Sequence, residues 1–289
     1  MFYSVQDIIE QSKNYSSVAE LMIATEIELT GRSREEIIQL MERNLEVMLD
    51  SIEKGLEGEK SVSGLTGGDS KKVHEYIESG KFLSGHTILT AVRNAIAVNE
   101  VNAQMGLICA TPTAGSAGCV PAVLASATDK IGLSHKEQVD FLFTAGAFGL
   151  VMANNASISG AEGGCQAEVG SASAMASAAL VLANGGTVEQ AANAIAITLK
   201  NVMGLICDPV AGLVEVPCVL RNAMGSSQAY ISADMAMAGI QSIIPADEVI
   251  ICMYQVGKAL PSAFRETAEG GLAQTPTGKR LMAEIFGEK

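Results

Sequence analysis

Helix-start signals and apolar residues at helical spacing alternate along most of the chain. Ser4 with Asp7, Ser17 with Glu20 and Ser33 with Glu36 each set a hydroxyl three residues before a carboxylate. That is the capping-box pattern, in which the two side chains satisfy orphan N–H groups at a helix start. After the third box, Ile37, Met41, Leu45, Met48, Leu49 and Ile52 share one face of a helix that stops near Gly55, with Glu and Arg opposite. Residues 87–105 return to helical spacing, their apolar face interrupted by Arg93, Asn94, Asn99, Glu100 and Asn102. Pro121 suits the first turn of the next helix, and Ser134 with Glu137 and Thr187 with Gln190 open two more. No run of β-branched alternation is long enough for a sheet, and neither a short-period repeat nor a Pro/Ser linker divides the chain. The pattern predicts an all-α fold, a single compact helical domain over residues 1–289 with Gly/Pro-rich loops between its helices.

Two loops stand out. SVSGLTGGDSKK (61–72) is too polar and Gly-rich for a helix interior, and CATPTAGSAGCVP (109–121) is a second break. Two further stretches, 141–161 and 169–188, are free of charge over about the length that a membrane-spanning helix needs. The first carries Asn154, Asn155, Ser157 and Ser159, the second is mostly Ala and Ser, and neither has an aromatic belt. They read as buried helices, so no membrane contact is expected.

Composition narrows the partners. Nineteen Lys and Arg against 32 Asp and Glu give a net charge of −13, which repels phosphate backbones, so no nucleic acid is expected. Aromatics make up 4% with no Trp, and 29 glycines favour closely approaching helices. Six cysteines are too sparse for a disulfide scaffold, and MFYSVQDIIEQ lacks the basic and apolar regions of a signal peptide. A reducing, cytoplasmic location follows, where thiols stay free.

Candidate chemistry begins with three histidines. His74 on a charged helix and His135 after an N-cap read as solvated, while His86, beside Gly85, is the one placed to face a site. No Ser-His-Asp order and no HExxH pattern is present, and GLTGGD lacks both a preceding strand and a following GK[ST]. Cys252, in the apolar run VIICMY, reads as core; Cys109 and Cys119 flank the TPTAGSAG loop and fit either core or site. Cys165, Cys207 and Cys218 each sit at a Gly or Pro break, where free backbone N–H groups can hydrogen-bond sulfide or thiolate. They share no CxxC spacing, which argues against a zinc ribbon. By spacing alone they read as small buried apolar residues.

Six strings add to this. SGLTGGD, NEVNAQMG, CATPTAGSAG, NNASISGAEGGCQAEVGSASAM, LICDPVAGLVEVPCVLRNAMG and ETAEGGLAQTPTG follow one another over almost the whole chain. Together they resemble the catalytic chain of the iron–sulfur-dependent L-serine dehydratases, in its two-subunit bacterial form. That resemblance implies a 4Fe–4S cluster held by Cys165, Cys207 and Cys218, whose separations of 42 and 11 residues fit the family's ligands. It implies conversion of L-serine to pyruvate and ammonia, with one iron acting as a Lewis acid on the hydroxyl. It also implies a separate beta subunit with an ACT-like regulatory module, in a heterodimer or higher oligomer. Single-chain relatives can close the open iron with a C-terminal cysteine; MAEIFGEK has none, so the iron is expected to stay open.

The same resemblance makes Ser63, Gly64, Thr66, Gly67 and Gly68 candidates for binding the substrate carboxylate through amides and hydroxyls. Thr111, Thr113 and Ser116 are candidates of the same kind. For the general base, Lys71, Lys72, Lys258 and a serine alkoxide near the cluster stay open. Rival readings are β-elimination on L-threonine or L-cysteine, a pyridoxal phosphate dehydratase, and a non-catalytic helical subunit.

Overall fold

Hydroxyl caps start the helices where the pattern places them. In the computed structural model, which describes residues 1–287, the Ser4, Ser33, Ser134 and Thr187 boxes are complete in both directions. They open α1 (Val5–Gln11), α3 (Arg34–Gly55), α7 (His135–Asn155) and α10 (Val188–Asn201). Ser17 accepts from the Glu20 N–H at the start of α2 (Val18–Thr30), but the return arm is absent. The reason is competition: both Glu20 oxygens accept from Arg34, at 2.6 and 2.7 Å.

Further helices are α4 (Asp69–Glu78), α5 (His86–Ala103), α6 (Cys119–Ile131), the single turn α8 (Gly160–Gly163), α9 (Ser171–Ala183), α11 (Cys218–Met237), α12 (Ala246–Ala259) and α13 (Pro276–Phe286). Among the described residues the only β pairing is one isolated bridge, Cys207 with Arg265. The all-α expectation holds. No described helix is long and apolar enough to cross a membrane.

The centre of the fold is α9. Ser171 to Val181 are all buried, and α6, α7, α10 and α11 pack around them. Alanine and serine make this possible, since a helix surrounded on all sides has room only for short side chains. Two of its hydroxyls bond to backbone: Ser173 Oγ donates to the Gly225 carbonyl of the packed helix α11 at 2.6 Å and Ser177 Oγ to the Ala174 carbonyl at 2.9 Å, while Ser171 Oγ has no partner among the described residues. The larger residues lie one layer out, where Phe141, Phe143, Phe148 and Met152 of α7 fill the space towards α2 and α3.

Two helices borrow their caps from distant carboxylates. Asp247 of α12 accepts from Val5 N and Gln6 N at 2.7 and 3.0 Å, closing the start of α1. α4 begins at Gly68, which adopts φ +85° and has no side chain with which to cap. Glu100 of α5 supplies the missing acceptor. Fully buried, it takes Asp69 N at 2.7 Å and Ser70 Oγ at 2.6 Å, against the positive end of the helix.

Cys252 departs from its expected place in the core. α12 turns Val249, Ile250, Met253 and Gly257 inward, which leaves Cys252 on the outer face with Ile251 and Tyr254.

Removing the Glu100 carboxylate strands buried donors at the start of α4. Glu100→Ala should lower the unfolding free energy by about 2–3 kcal/mol. The measurement is the urea midpoint at unchanged slope; a midpoint equal to that of the parent would contradict the cap.

Candidate functional site

Three segments bring cysteines together beneath α9. Cys165 follows Gly164, which ends α8, and leads into a π-turn over Gln166–Gly170. Cys207 lies in extended chain, its N–H donating to the Phe264 carbonyl and its carbonyl accepting from Glu266 N, both at 2.8 Å. Cys218 is the first residue of α11. All three are buried, and Cys165 and Cys207 share an apolar cluster with Cys119, Val169 and Ala172.

Burial dominates their chemistry. Desolvation pushes the Cys165 thiol up to about 12, with Arg221 opposing and Glu168 adding to the rise. Cys218 also reaches about 12, through burial and then the neighbouring Cys165. Cys207 is raised further by burial, both other thiols and the Glu168 and Glu266 carboxylates. Burial thus favours the protonated thiols, and a bound cation would offset that penalty. Among the described residues, no three His, Cys, Asp or Glu side chains converge closely enough to hold a single metal ion.

Carboxylates surround the thiols. A Cβ added to Gly160 would stand 3.0 Å from Cys207 Sγ, 3.1 Å from Glu168 Oε2 and 3.2 Å from Glu266 Oε2. That glycine therefore keeps open a small space bordered by one thiol and two acids. Glu168 Oε1 accepts a short hydrogen bond from Thr113 Oγ1. Burial raises the Glu168 carboxyl above its ordinary range; the Thr113 bond offsets part of this and nearby Glu266 adds to it.

Each loop is tied to this centre. Glu215, buried three residues before Cys218, accepts from Ser63 Oγ at 2.7 Å and Thr66 Oγ1 at 2.9 Å. Asn222 Nδ2 donates to the Gly115 carbonyl at 2.7 Å and its Oδ1 accepts from Gly118 N at 3.1 Å, which docks the 109–121 loop on α11. Asp208 Oδ2 accepts from Leu272 N at 2.7 Å, drawing in the segment after Arg265.

The candidate residues from the sequence fall into groups. Ser63 and Thr66 sit over the Cys218 segment with their hydroxyl protons committed to Glu215. The amides of Gly64 and Thr66 are spent inside their loop, on the Ser61 carbonyl and Ser61 Oγ at 3.0 and 3.3 Å. Gly67 and Gly68 lead into α4, and the Gly67 carbonyl accepts from Lys60 Nζ. Thr113 and Ser116 bond each other at 3.0 Å beside Glu168, and Thr111 has a buried hydroxyl with no partner among the described residues. Lys71, Lys72 and Lys258 are all exposed; Lys72 pairs with Asp69 at 2.7 Å and Lys258 lies over the Tyr254 ring. His86, which the sequence left as a site candidate, is exposed at the start of α5 against Phe82. His74 is half-buried and meets Arg93 Nη1 at 3.3 Å, and Cys119 directs its Sγ at the Asn222 carbonyl and Oδ1.

The similarity to known proteins extends along a stretch that includes the site. The family model for the serine dehydratase alpha chain matches residues 13–273. This chain belongs to the serine dehydratase alpha-chain family. A probable L-serine dehydratase alpha chain of Bacillus subtilis is 60% identical over 288 residues, covering 99% of this chain and 96% of its own. An L-serine dehydratase alpha chain of Peptoniphilus asaccharolyticus is 44% identical over 94% of this chain and 93% of its own. An L-serine dehydratase of Escherichia coli is 37% identical over 94% of this chain but 61% of its own length.

The sequence pattern did not single out five residues of the site: Glu168, Asp208, Glu215, Arg221 and Glu266. Four of the five lay inside the quoted strings a few residues from a cysteine, and Glu266 opens the string ETAEGG. None carries a periodic or spacing signal of its own.

The Glu215 tie has a local readout. Glu215→Ala should release the 61–66 loop, raising amide hydrogen exchange at Gly64, Leu65 and Thr66 by roughly tenfold or more, the loss of about 1.5 kcal/mol of local protection. Unchanged protection there would show that the loop stands without the carboxylate.

Proposed function

We propose that this chain is the catalytic subunit of an L-serine dehydratase, a lyase that converts L-serine to pyruvate and ammonia with a 4Fe–4S cluster on Cys165, Cys207 and Cys218. The observation that carries the reading is the gathering of three buried thiols from separate segments, with Cys207 bordering the space kept open at Gly160. The donor set fits such a group. Cluster thiolates each bind a different iron and stand apart, whereas ligands of one zinc ion crowd a single point. When bound, the cluster supplies Lewis acidity that eases departure of the substrate hydroxyl.

The chain's own residues supply position and proton transfer. The unpartnered Thr111 hydroxyl, with Thr113 and Ser116, offers polar contacts to the substrate; Ser63, Gly64 and Thr66, whose donors are engaged by Glu215 and Ser61, hold the turn from which Gly67 and Gly68 can reach the carboxylate. Glu168, anchored at Oε1 by Thr113, leaves Oε2 free towards Gly160, and we assign it to accept the α-proton of L-serine. The exposure of Lys71, Lys72 and Lys258 supports this choice over the lysines. Loss of the α-proton and of the hydroxyl, as water, yields an enamine; its imine tautomer takes up water and releases ammonia and pyruvate. The partner chain is a beta subunit, which the alpha-chain names of the relatives support, and its ACT-like module follows from the family resemblance alone. The setting is a reducing cytoplasm.

Anaerobically prepared protein should contain close to four irons and four sulfides per chain and make pyruvate from L-serine. Cys165→Ser, Cys207→Ser and Cys218→Ser should each cut turnover by roughly a thousandfold or more while the far-ultraviolet circular dichroism stays helical. Iron-free protein that still forms pyruvate would sink the assignment. L-Threonine, with one extra methyl in the pocket, should be disfavoured by roughly 10–200-fold.

The Glu168 role has a pH signature. As a base, Glu168 acts once deprotonated, and burial raises its pKa. kcat/KM should therefore climb with pH through a value above the ordinary carboxyl pKa of about 4.3. Glu168→Gln should remove that limb together with most of the activity; a limb that survives the substitution belongs to another group.

A further inference from the structure

Arg221 is the cation beside the Cys165 and Cys218 thiols, and its contacts reach the segment of Cys207 as well. It stands one helical turn after Cys218 on α11, so the two side chains share a face. Its Nη1 donates to the Ile206 carbonyl and its Nη2 to Asp208 Oδ1, both at 2.8 Å. Both residues flanking Cys207 are thereby held by one guanidinium. The same group lies beside the Cys165 thiol and opposes the rise that burial imposes on it. Arg221 is thus placed beside Cys165, joined to Cys207 through both its neighbours, and tied to Cys218 through helical register.

The charge balance points the same way. The Arg221 and Asp208 side chains are 15% and 3% exposed, so the cation is largely stripped of water. Asp208 gives it one oxygen and spends the other on Leu272 N. Cys165, Cys207 and Cys218, once deprotonated, would add three negative charges beside Glu168 and Glu266. A planar guanidinium with five fixed donors can meet a thiolate, a carbonyl and a carboxylate together, which an ammonium on a flexible stem cannot.

We infer that Arg221 is a positioning residue for the three-cysteine centre: it fixes the spacing of the thiols and offsets their charge, and so governs how firmly the iron–sulfur group is retained. This rests on the assignment of those cysteines as ligands. It departs from a purely structural ion pair, which would affect folding stability but leave metal retention in the folded protein unchanged.

The test compares the parent chain with Arg221→Lys, Arg221→Gln and Cys165→Ser, all prepared and reconstituted without oxygen. Iron and sulfide per chain, the visible absorption of the cluster and the rate of iron loss to a ferrous chelator are measured, with circular dichroism as the folding control. Arg221→Lys keeps a cation and loses the fork; it should release iron roughly 10–100-fold faster than the parent, the range for residues that support metal ligands. Arg221→Gln should hold less iron still. Should Arg221→Gln fail to fold, Arg221→Lys decides alone. Retention within twofold of the parent in every folded arginine variant, while Cys165→Ser loses its iron, would overturn this inference and leave the ligand assignment standing. A parent chain that takes up neither iron nor sulfide would overturn both.

Discussion

A carboxylate removed from water must be met by donors, and this fold uses that requirement to gather its loops. Glu100, Glu168, Asp208 and Glu215 are all buried, and each accepts from a segment distant in sequence or from a cation. Glu100 takes the start of α4, Glu168 takes Thr113, Glu215 takes Ser63 and Thr66, and Asp208 takes Leu272 and Arg221. Each loop that reaches the thiols is thus held by hydrogen bonds to an ionisable side chain. Such bonds are directional and costly to leave unmade, so they define position more sharply than apolar contact does.

These ties work because the body beneath them yields little. α9 presents Ala and Ser on all sides, and its neighbours pack against it through short side chains in well-filled space. Cys165 and Glu168 lie in the π-turn region that runs directly into α9. Cys218, Arg221 and Asn222 occupy the first turn of α11, which packs on α9. The site therefore combines loop chemistry with two helix ends, and the helix ends carry most of its ligand candidates.

Much of the fold was legible in the chain. Paired hydroxyl and acid or amide residues mark helix starts because the interaction is local, and four boxes form in full. At Ser17 the box is half made because Arg34, fourteen residues on, competes for the Glu20 carboxylate. Cys252 was misread because an apolar run such as VIICMY does not say which of its residues faces inward when α12 lies on the surface. The acids of the site were harder still. A polar residue at Glu215 or Glu168 looks like any solvated glutamate until the fold places Ser63 or Thr113 opposite it. The glycine loops were visible as breaks, but that the Ser63 and Thr66 hydroxyls would be engaged by a protein carboxylate was not. Only the long family-like strings located the cysteines as a set.

The Glu215 contacts carry one more consequence, which concerns the order of assembly. Ser63 and Thr66 lie 152 and 149 residues from Glu215, and Val5 lies 242 from Asp247. Closing chain over such distances costs entropy that local helix formation does not. The helices can therefore appear early, while the pocket exists only after nearly the whole polypeptide has come together. A ribosome-bound or truncated chain that stops before residue 218 would lack a complete set of thiols, so any group that needs all three could bind only at the end of folding.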